Sequence, residues 1–283
     1  MTTVQENGYK YCLTIEDSLV SVLDATLRIR LYKQLPESSK RHENEPFLVF
    51  LHEGLGCIEM WKEFPLAVCK ATGLSGIAYD RQGYGGSSPL SRPRKPDFMH
   101  VEAYNYLPAL LSFLNVDQSI LIGHSDGGSI SLLYASAFPN CVRCLVTIAA
   151  HVFVEPETVQ SISQARELYQ TSLWPQKLSK YHGDKTDAIF YAWADTWLSS
   201  EFASWNIEQE VKDIQSPMLV MQGVEDKYGT AKQVESIVQN SGGKALPCWI
   251  EDCGHVPHIE AQNTVLETVV KFISEYGLRQ EEE

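Results

Sequence analysis

The segment Ile120-Leu-Ile-Gly-His-Ser-Asp-Gly-Gly-Ser129 decides the fold that we expect for this 283-residue chain. A short apolar run leads directly into it, and a helical pattern at 126–138 leaves it. A strand, a sharp turn with glycine on both sides of a serine, and a helix form a nucleophile elbow, which exposes the serine hydroxyl at the end of a sheet. The alternative is a plain glycine-rich turn in which Ser125 is solvated. The flanking strand and helix favour the elbow.

Short apolar or β-branched runs alternate with helical patterns along most of the chain. This alternation is typical of a mainly parallel sheet covered by helices. The residues expected to form strands are 26–32, 47–51, 74–79, 119–122, 144–149 and 218–221, and those expected to form helices are 102–114, 126–138 and 264–276. We therefore predict an α/β fold.

Residues 155–214 interrupt the alternation, because they contain helical patterns only and are rich in tryptophan. We predict a core domain at 1–154 and 215–283 with a helical cap inserted at 155–214. Phe190, Trp193 and Trp197 share one helix face at positions i, i+3 and i+7. This face either packs against the core or forms an aromatic roof over a substrate, and Trp193 and Trp197 are therefore candidate pocket residues.

Charge and composition exclude several classes of partner. The formal net charge of −13 disfavours binding to nucleic acid or to an anionic membrane, since both normally require a basic surface. The N-terminal residues lack the pattern of a signal peptide, and no apolar run is long enough to span a bilayer. We expect a cytoplasmic protein with no membrane partner. The seven cysteines include one C-x-x-C pair, but a second pair for zinc is missing, so we expect no metal.

A serine hydroxyl is a poor nucleophile unless a histidine removes its proton and an acid orients that histidine. Asp226 lies in a loop just after the predicted strand 218–221, and His255 lies in a loop before the last predicted helix. The order Ser, Asp, His along the chain is a known order of such triads. We predict Ser125 as nucleophile, His255 as base and Asp226 as the orienting acid.

Asp226 and His255 each have a nearby residue that is an alternative candidate for the same role. Glu225 precedes Asp226, but it stands two rather than three residues after a glycine. His258 follows a proline at the start of a predicted helix, where a histidine is more often a surface or capping residue. Two further histidines in polar stretches are expected to be solvated, His42 and His182.

Acyl transfer also requires hydrogen-bond donors for the developing oxyanion. The backbone N–H of Asp126, the residue after the nucleophile, is one expected donor. The loop His52-Glu-Gly-Leu-Gly56 follows a predicted strand and supplies the other. Gly54 is our candidate there, because a side chain at this position would crowd the substrate.

These motifs resemble those of the α/β-hydrolase superfamily, in its branch of small esterase-like and peptidase-like members with a helical cap. The resemblance covers nearly the whole chain. It rests on His52-Glu-Gly-Leu-Gly56 with Trp61 following, Asp80-Arg-Gln-Gly-Tyr-Gly-Gly-Ser87, Gly123-His-Ser-Asp-Gly127, Gly223-Val-Glu-Asp226 and Gly254-His255. It implies an eight-stranded, mostly parallel sheet flanked by helices.

One residue departs from the superfamily's common His-Gly-x-x-Gly loop, since Glu53 replaces a small residue there. Glu53 either makes a structural ion pair, for which Arg81 is a candidate partner, or orients a substrate or its amine. Asp126 also has two interpretations. It stands one place too late to be the nucleophile of dehalogenase or epoxide chemistry, and we expect its carboxylate to cap the following helix.

The leading hypothesis is a serine hydrolase that cleaves a small, apolar carboxylic ester, thioester or lactone and needs no cofactor. The same triad also serves aminopeptidases, amidases and hydrolases of carbon–carbon bonds, and the fold does not separate these reactions. For an amine-recognising peptidase, Glu53 and Glu201 are the available carboxylates. A hypothesis of another class is a ligand-binding receptor with an idle triad.

Overall fold

The computed structural model describes residues 2–3, 12–35 and 45–278, which form one nine-stranded sheet with helices on both faces. The strand order is β1-β2-β3-β5-β4-β6-β7-β8-β9. The strands are β1 (Thr2–Thr3), β2 (Cys12–Val22), β3 (Ala25–Leu35), β4 (Phe47–Leu51), β5 (Gly76–Tyr79), β6 (Ser119–His124), β7 (Val142–Ile148), β8 (Met218–Gly223) and β9 (Ala245–Ile250). Eight of them form the expected sheet, and the two-residue β1 extends its edge.

The sheet is antiparallel at one end and parallel through the rest. The hairpin of β2 and β3 pairs antiparallel with β5, and the strands from β5 to β9 run parallel. Every residue of β4, β5, β6 and β8 is buried, which explains their continuous apolar sequences. Parallel strands bring their carboxyl ends to one edge, so the loops after them converge there.

The helices follow the strands in the expected alternation. They are α1 (Phe64–Thr72), α2 (Phe98–Val101), α3 (Leu107–Phe113), α4 (Asp126–Ala137), α5 (Pro156–Thr171), α6 (Trp174–His182), α7 (Thr186–Trp197), α8 (Glu208–Val211), α9 (Ala231–Asn240), α10 (Pro257–Glu260) and α11 (Gln262–Phe272). Two short π-helical turns continue the predicted helices: Glu102–Tyr106 lies within the segment 102–114, and Ile273–Gly277 ends one residue beyond the segment 264–276. None of the helices in the described ranges is long and apolar enough to cross a membrane.

Three strands of the sheet were not predicted from the sequence: the two-residue β1 and the longer β2 and β9. Strand β2 carries several polar residues, and most of its side chains are exposed, so it lacks an apolar run. Strand β9 contains Pro247, which lacks the N–H that an inner strand needs. The structure places β9 at the sheet edge, where one side of the strand needs no partner.

The helices α5 to α8 stand between β7 and β8, and we call residues 155–214 the insertion. At its base the chain closes on itself, because Ile207 donates its amide to the Val152 carbonyl at 2.7 Å. The apolar residues of the insertion belong to the same hydrophobic cluster as those of α4 and of one face of the sheet. The insertion therefore shares one hydrophobic core with α4 and that face of the sheet.

Candidate active site

Ser125 stands at the turn between β6 and α4 with φ of 52° and ψ of −119°, a strained conformation for a residue with a side chain. Its amide donates to the Ile148 carbonyl at 2.8 Å, which ties the turn to β7. The flanking glycines are sterically required. A Cβ atom on Gly127 would lie 2.0 Å from the Leu51 carbonyl oxygen, and one on Gly123 would lie 2.2 Å from the Gly127 carbonyl oxygen. The turn is thus held by backbone contacts on all sides.

The structure brings Ser125, His255 and Asp226 into one hydrogen-bonded line. His255 Nε2 lies 3.0 Å from Ser125 Oγ, and His255 Nδ1 lies 2.9 Å from both carboxylate oxygens of Asp226. Because the carboxylate accepts the Nδ1 proton, Nε2 carries a lone pair towards the serine hydroxyl. This is the arrangement in which an imidazole can remove a hydroxyl proton.

Asp226 is well placed to stay ionised. Its side chain is 1% exposed, and Oδ1 also accepts the Tyr228 amide at 2.8 Å. Burial acts to raise the pKa of Asp226, but the charge and hydrogen bond of His255 outweigh it, so that the pKa lies below its usual value. The carboxylate is therefore held next to His255 as the acceptor of its Nδ1 proton.

The alternative residues lie elsewhere. The Glu225 side chain is exposed and makes no hydrogen bond to His255. His258 is buried, so the expectation of a surface or capping residue is wrong; its ring packs on that of Trp61 with centroids 4.6 Å apart. Burial, with the nearby His124, lowers the pKa of His258 to about 3.

The loop that contains Gly54 is fixed by hydrogen bonds to its carbonyl groups. Arg81 Nη2 donates to the Glu53 carbonyl at 2.7 Å, and Tyr84 Oη donates to the Gly54 carbonyl at 2.7 Å. The Glu53–Gly54 peptide is trans, so the N–H of Gly54 points away from Arg81. Neither this N–H nor that of Asp126 donates to a described backbone carbonyl. Both amides therefore lack a backbone acceptor among the described residues, as the predicted oxyanion role requires.

The predicted ion pair between Glu53 and Arg81 is wrong. Arg81 donates to the backbone carbonyls of His52 and Glu53 rather than to the Glu53 carboxylate. Arg81 is 4% exposed and lies against this loop, so its guanidinium N–H groups reach the backbone oxygens. The Glu53 carboxylate instead lies 3.4 Å from His124 Nδ1. Burial acts to raise the pKa of Glu53, but the contact with His124 lowers it overall.

A cavity of about 200 Å³ opens beside Ser125 between the strand ends and the insertion. Both the core and the insertion line it, and its wall is largely apolar. The lining residues are Glu53, Gly54, Leu55, Met60, Ser125, Asp126, His151, Thr158, Ile162, Trp174, Leu178, Trp193, Trp197, Tyr228, His255 and Val256. The two tryptophans nominated from the sequence, Trp193 and Trp197, are among them. Glu201 does not line this cavity.

Trp193 lies directly over the loop that contains Gly54. A Cβ atom on Gly54 would be 2.3 Å from Trp193 Nε1 and 3.1 Å from Asp126 Oδ2. The indole therefore occupies the space that glycine leaves free. Any other residue at position 54 would require the Trp193 side chain, the insertion or the loop itself to shift.

The expected capping role of Asp126 is wrong. Ser125 is the N-cap residue of α4, and no side-chain capping bond is formed at this helix end. The Asp126 carboxylate is instead buried in the cavity wall beside the Trp197 indole, and Oδ2 makes no hydrogen bond of regular geometry among the described residues. Burial raises the pKa of Asp126, while the nearby charges of Arg81 and Arg94 oppose the rise.

Two buried histidines were not assigned to the site from the sequence. His151 lines the cavity, and its Nε2 donates to the Tyr228 carbonyl at 2.9 Å. His182 was expected to be solvated, which is wrong: it accepts the Gly85 amide at 3.0 Å and donates to the Leu55 carbonyl at 2.9 Å. His42 lies outside the described residues. The sequence feature that could have identified His151 is its position just past the end of a predicted strand. No feature of the sequence pointed to His182.

The chain is similar to known proteins of one fold family. Residues 46–204, more than half of the chain, match the alpha/beta hydrolase fold family. The chain therefore belongs to the α/β-hydrolase fold family.

Three similar proteins can be named. The chain is 27% identical over 177 residues to the mouse (Mus musculus) protein named serine hydrolase BPHL, and the match covers 60% of each chain. It is 25% identical over 228 residues to 2-hydroxy-6-oxo-2,4-heptadienoate hydrolase of Pseudomonas putida, covering 70% of this chain and 78% of that one. The solved enol-lactonase of Burkholderia xenovorans LB400 superimposes with a TM-score of 0.66 at 19% identity, covering 91% of this chain and 100% of that one. This last likeness concerns the fold.

Proposed function

We propose that this protein is a serine hydrolase that cleaves a small carboxylic ester, thioester or lactone through an acyl-enzyme. The observation that carries the proposal is the distance of 3.0 Å between Ser125 Oγ and His255 Nε2, beside two free backbone amides. The family match and the relative named as a serine hydrolase support it. The insertion acts as a cap in this proposal, because it closes the cavity over Ser125.

The reaction follows from the positions of these groups. His255 takes the proton of Ser125, and the serine oxygen attacks the carbonyl carbon of the substrate. The carbonyl oxygen becomes negative and accepts hydrogen bonds from the amides of Gly54 and Asp126. His255 then gives its proton to the leaving oxygen or sulfur. Water repeats the sequence on the acyl-enzyme and releases the acid, while Asp226 stabilises the imidazolium in both halves.

The cavity also suggests the kind of acyl group. Its volume of about 200 Å³ and its tryptophan, leucine and isoleucine walls suit a short apolar chain. The test is hydrolysis of matched short-chain esters and aminoacyl amides by the wild type and by Ser125→Ala. The proposal requires ester cleavage that is lost in Ser125→Ala. A preference for the amides would replace it with a peptidase or amidase.

A second candidate is favoured by the unpartnered carboxylate oxygen of Asp126 in the cavity wall. A buried carboxylate oxygen without a donor is costly, and an ammonium or hydroxyl group on the substrate would satisfy it. In this case the carboxylate that meets a substrate amine is Asp126 rather than Glu53 or Glu201. A pair of esters that differ only in an α-amino group tests it. Asp126→Asn should abolish a preference for the amine while keeping its backbone N–H.

A further inference from the structure

Glu53 and His124 meet behind the candidate triad. Glu53 directly precedes Gly54, and His124 directly precedes Ser125. The His124 side chain is 1% exposed and that of Glu53 is 21% exposed, with Oε2 of the glutamate 3.4 Å from Nδ1 of the histidine. The two side chains therefore join the loop with the oxyanion amide to the nucleophile elbow.

The second ring nitrogen of His124 fixes the position of its proton. His124 Nε2 lies 2.7 Å from the backbone carbonyl oxygen of His255. A carbonyl oxygen only accepts hydrogen bonds, so Nε2 must carry a proton. In a neutral His124 the Nδ1 lone pair would then face the Glu53 carboxylate, which is repulsive. A proton on Nδ1 makes the same contact attractive.

We propose that His124 is held as an imidazolium by Glu53, and that this charged pair positions the oxyanion loop and the His255 loop against the nucleophile elbow. The Nε2–H of His124 donates to the His255 carbonyl, and its charge faces Glu53 across the 3.4 Å contact of Nδ1, which makes no hydrogen bond of regular geometry, so the ring contacts three chain segments. Glu53 and His124 are positioning residues, since they act through Gly54 and through the backbone of His255. The catalytic consequence rests on the proposed function, whereas the protonation state of His124 does not.

The other groups around His124 are consistent with a single positive charge there. The rings that face it are those of His258, His255 and Trp61, with centroids 4.8, 5.2 and 6.3 Å away. Burial keeps His258 neutral, since it lowers the pKa of that ring to about 3. Asp226 faces the far side of His255 through Nδ1 and does not reach His124. Glu53 is the anion that stands next to His124.

Histidine nitrogen spectroscopy tests the pair directly. The full chain labelled with ¹⁵N-histidine is compared near neutral pH with Glu53→Gln, and His124→Asn identifies the His124 signals. We expect two protonated ring nitrogens for His124 in the wild type and one in Glu53→Gln. A singly protonated His124 in the wild type, or an imidazolium that persists in Glu53→Gln, would overturn the proposal.

Kinetics of the same variants test positioning. Glu53→Gln should lower kcat for an ester about tenfold with little change in KM, less than the roughly 10²- to 10³-fold loss of a whole oxyanion donor. Glu53→Asp, which keeps the charge, should recover part of kcat. The exposed Glu225→Gln is the matched control and should leave kcat and the His124 signals unchanged. Equal kcat in Glu53→Gln and the wild type would contradict the positioning role.

The two proposals can fail separately. A wild type with a His124 imidazolium but no esterase activity would leave the charged pair intact and remove the proposed function. An active wild type with a neutral His124 would remove the charged pair and leave the proposed function intact. If Glu53→Gln does not fold, the wild-type spectrum still decides the protonation state, and Glu53→Asp still reports on kcat.

Discussion

The nucleophile elbow and the insertion form opposite walls of one cavity, but they are held in different ways. The elbow is fixed by backbone contacts: the Ser125 amide bonds to Ile148, and Gly127 lies against the Leu51 carbonyl. The insertion is held largely through side chains: aromatic rings pack within it, such as Trp197 against Trp205 with centroids 5.9 Å apart, and His182 donates to the Leu55 carbonyl of the core. Backbone contacts leave little tolerance for substitution, whereas side-chain packing can change shape. We therefore expect chemistry to depend on the elbow and substrate choice on the insertion.

The largest effect should come from breaking the triad on the elbow side. Ser125→Ala or His255→Ala should lower kcat for ester hydrolysis by about 10⁴-fold or more, as in other serine hydrolases. The loss follows because no other described group lies where it can supply the nucleophile or the base. Steady-state rates with a short-chain ester measure it, and Glu225→Gln is the control. Either alanine variant with more than a tenth of wild-type kcat would remove the residue from the mechanism.

A smaller effect is expected where the two walls touch. Gly54→Ala places a Cβ atom 2.3 Å from Trp193 Nε1, so that the oxyanion loop or the insertion must move. We expect kcat to fall about 10²-fold, comparable to the loss of one oxyanion donor. The same substitution in a Trp193→Ala background should cost much less, because the clash is removed. Rates of the four proteins in a double-mutant cycle measure this coupling, and additive losses would show that the two residues act independently.

The insertion side should change selectivity rather than rate. Trp197→Leu enlarges the cavity, so that kcat/KM for longer acyl esters should rise about tenfold relative to short ones, a typical value for a methylene or two in an apolar pocket. Leu168→Ala on the exposed face of α5 is a control, since Leu168 is 56% exposed and lies away from the cavity. A series of esters of increasing chain length gives the ratio. An unchanged ratio would mean that Trp197 does not limit the acyl group.

The smallest effect concerns how the insertion is anchored. His182 on α6 accepts the Gly85 amide, and burial lowers the pKa of its ring. A neutral histidine stabilises the folded protein fully above the unfolded-state pKa of about 6.5, and this contribution is lost as the pH falls towards the lower folded-state pKa. His182→Phe should cost about 1–3 kcal/mol at neutral pH by leaving the Gly85 amide unpaired.

Denaturant unfolding at neutral and mildly acidic pH measures this anchoring. The destabilisation caused by His182→Phe should shrink on acidification, because the wild type loses the histidine contribution under those conditions. His100→Gln, at a partly exposed histidine of α2, is the comparison. A His182→Phe penalty that stays constant with pH would show that the ring is already charged or that its neutral form is not needed.

The sequence predicted best the parts of the molecule that depend on local backbone rules. The buried strands and the helix after Ser125 follow from apolar runs and glycine positions, and the α/β-hydrolase fold was confirmed by the family match. Strands β2 and β9 were missed, because one is polar and the other contains a proline that only an edge strand tolerates. Whether a strand lies at the edge depends on the whole sheet, and a local sequence pattern does not show it.

The surroundings of the triad depended on tertiary contacts and were predicted less well. Glu53 was given Arg81 as a partner by charge, but the arginine binds backbone carbonyls and the glutamate faces His124. Asp126 was given a capping role by its position, but its carboxylate is buried in the cavity wall. Neither environment follows from the sequence, because the residues that meet there come from different strands and loops.

The central claim is that Ser125 is a nucleophile activated by His255, and covalent labelling tests it most directly. The folded wild type is treated with a fluorophosphonate probe, and intact mass and peptide mass spectra are recorded. The account predicts one adduct, located on Ser125, that is absent from Ser125→Ala and strongly slowed in His255→Ala, while Glu225→Gln labels like the wild type. A folded wild type that remains unlabelled, or an adduct on another residue, would contradict it.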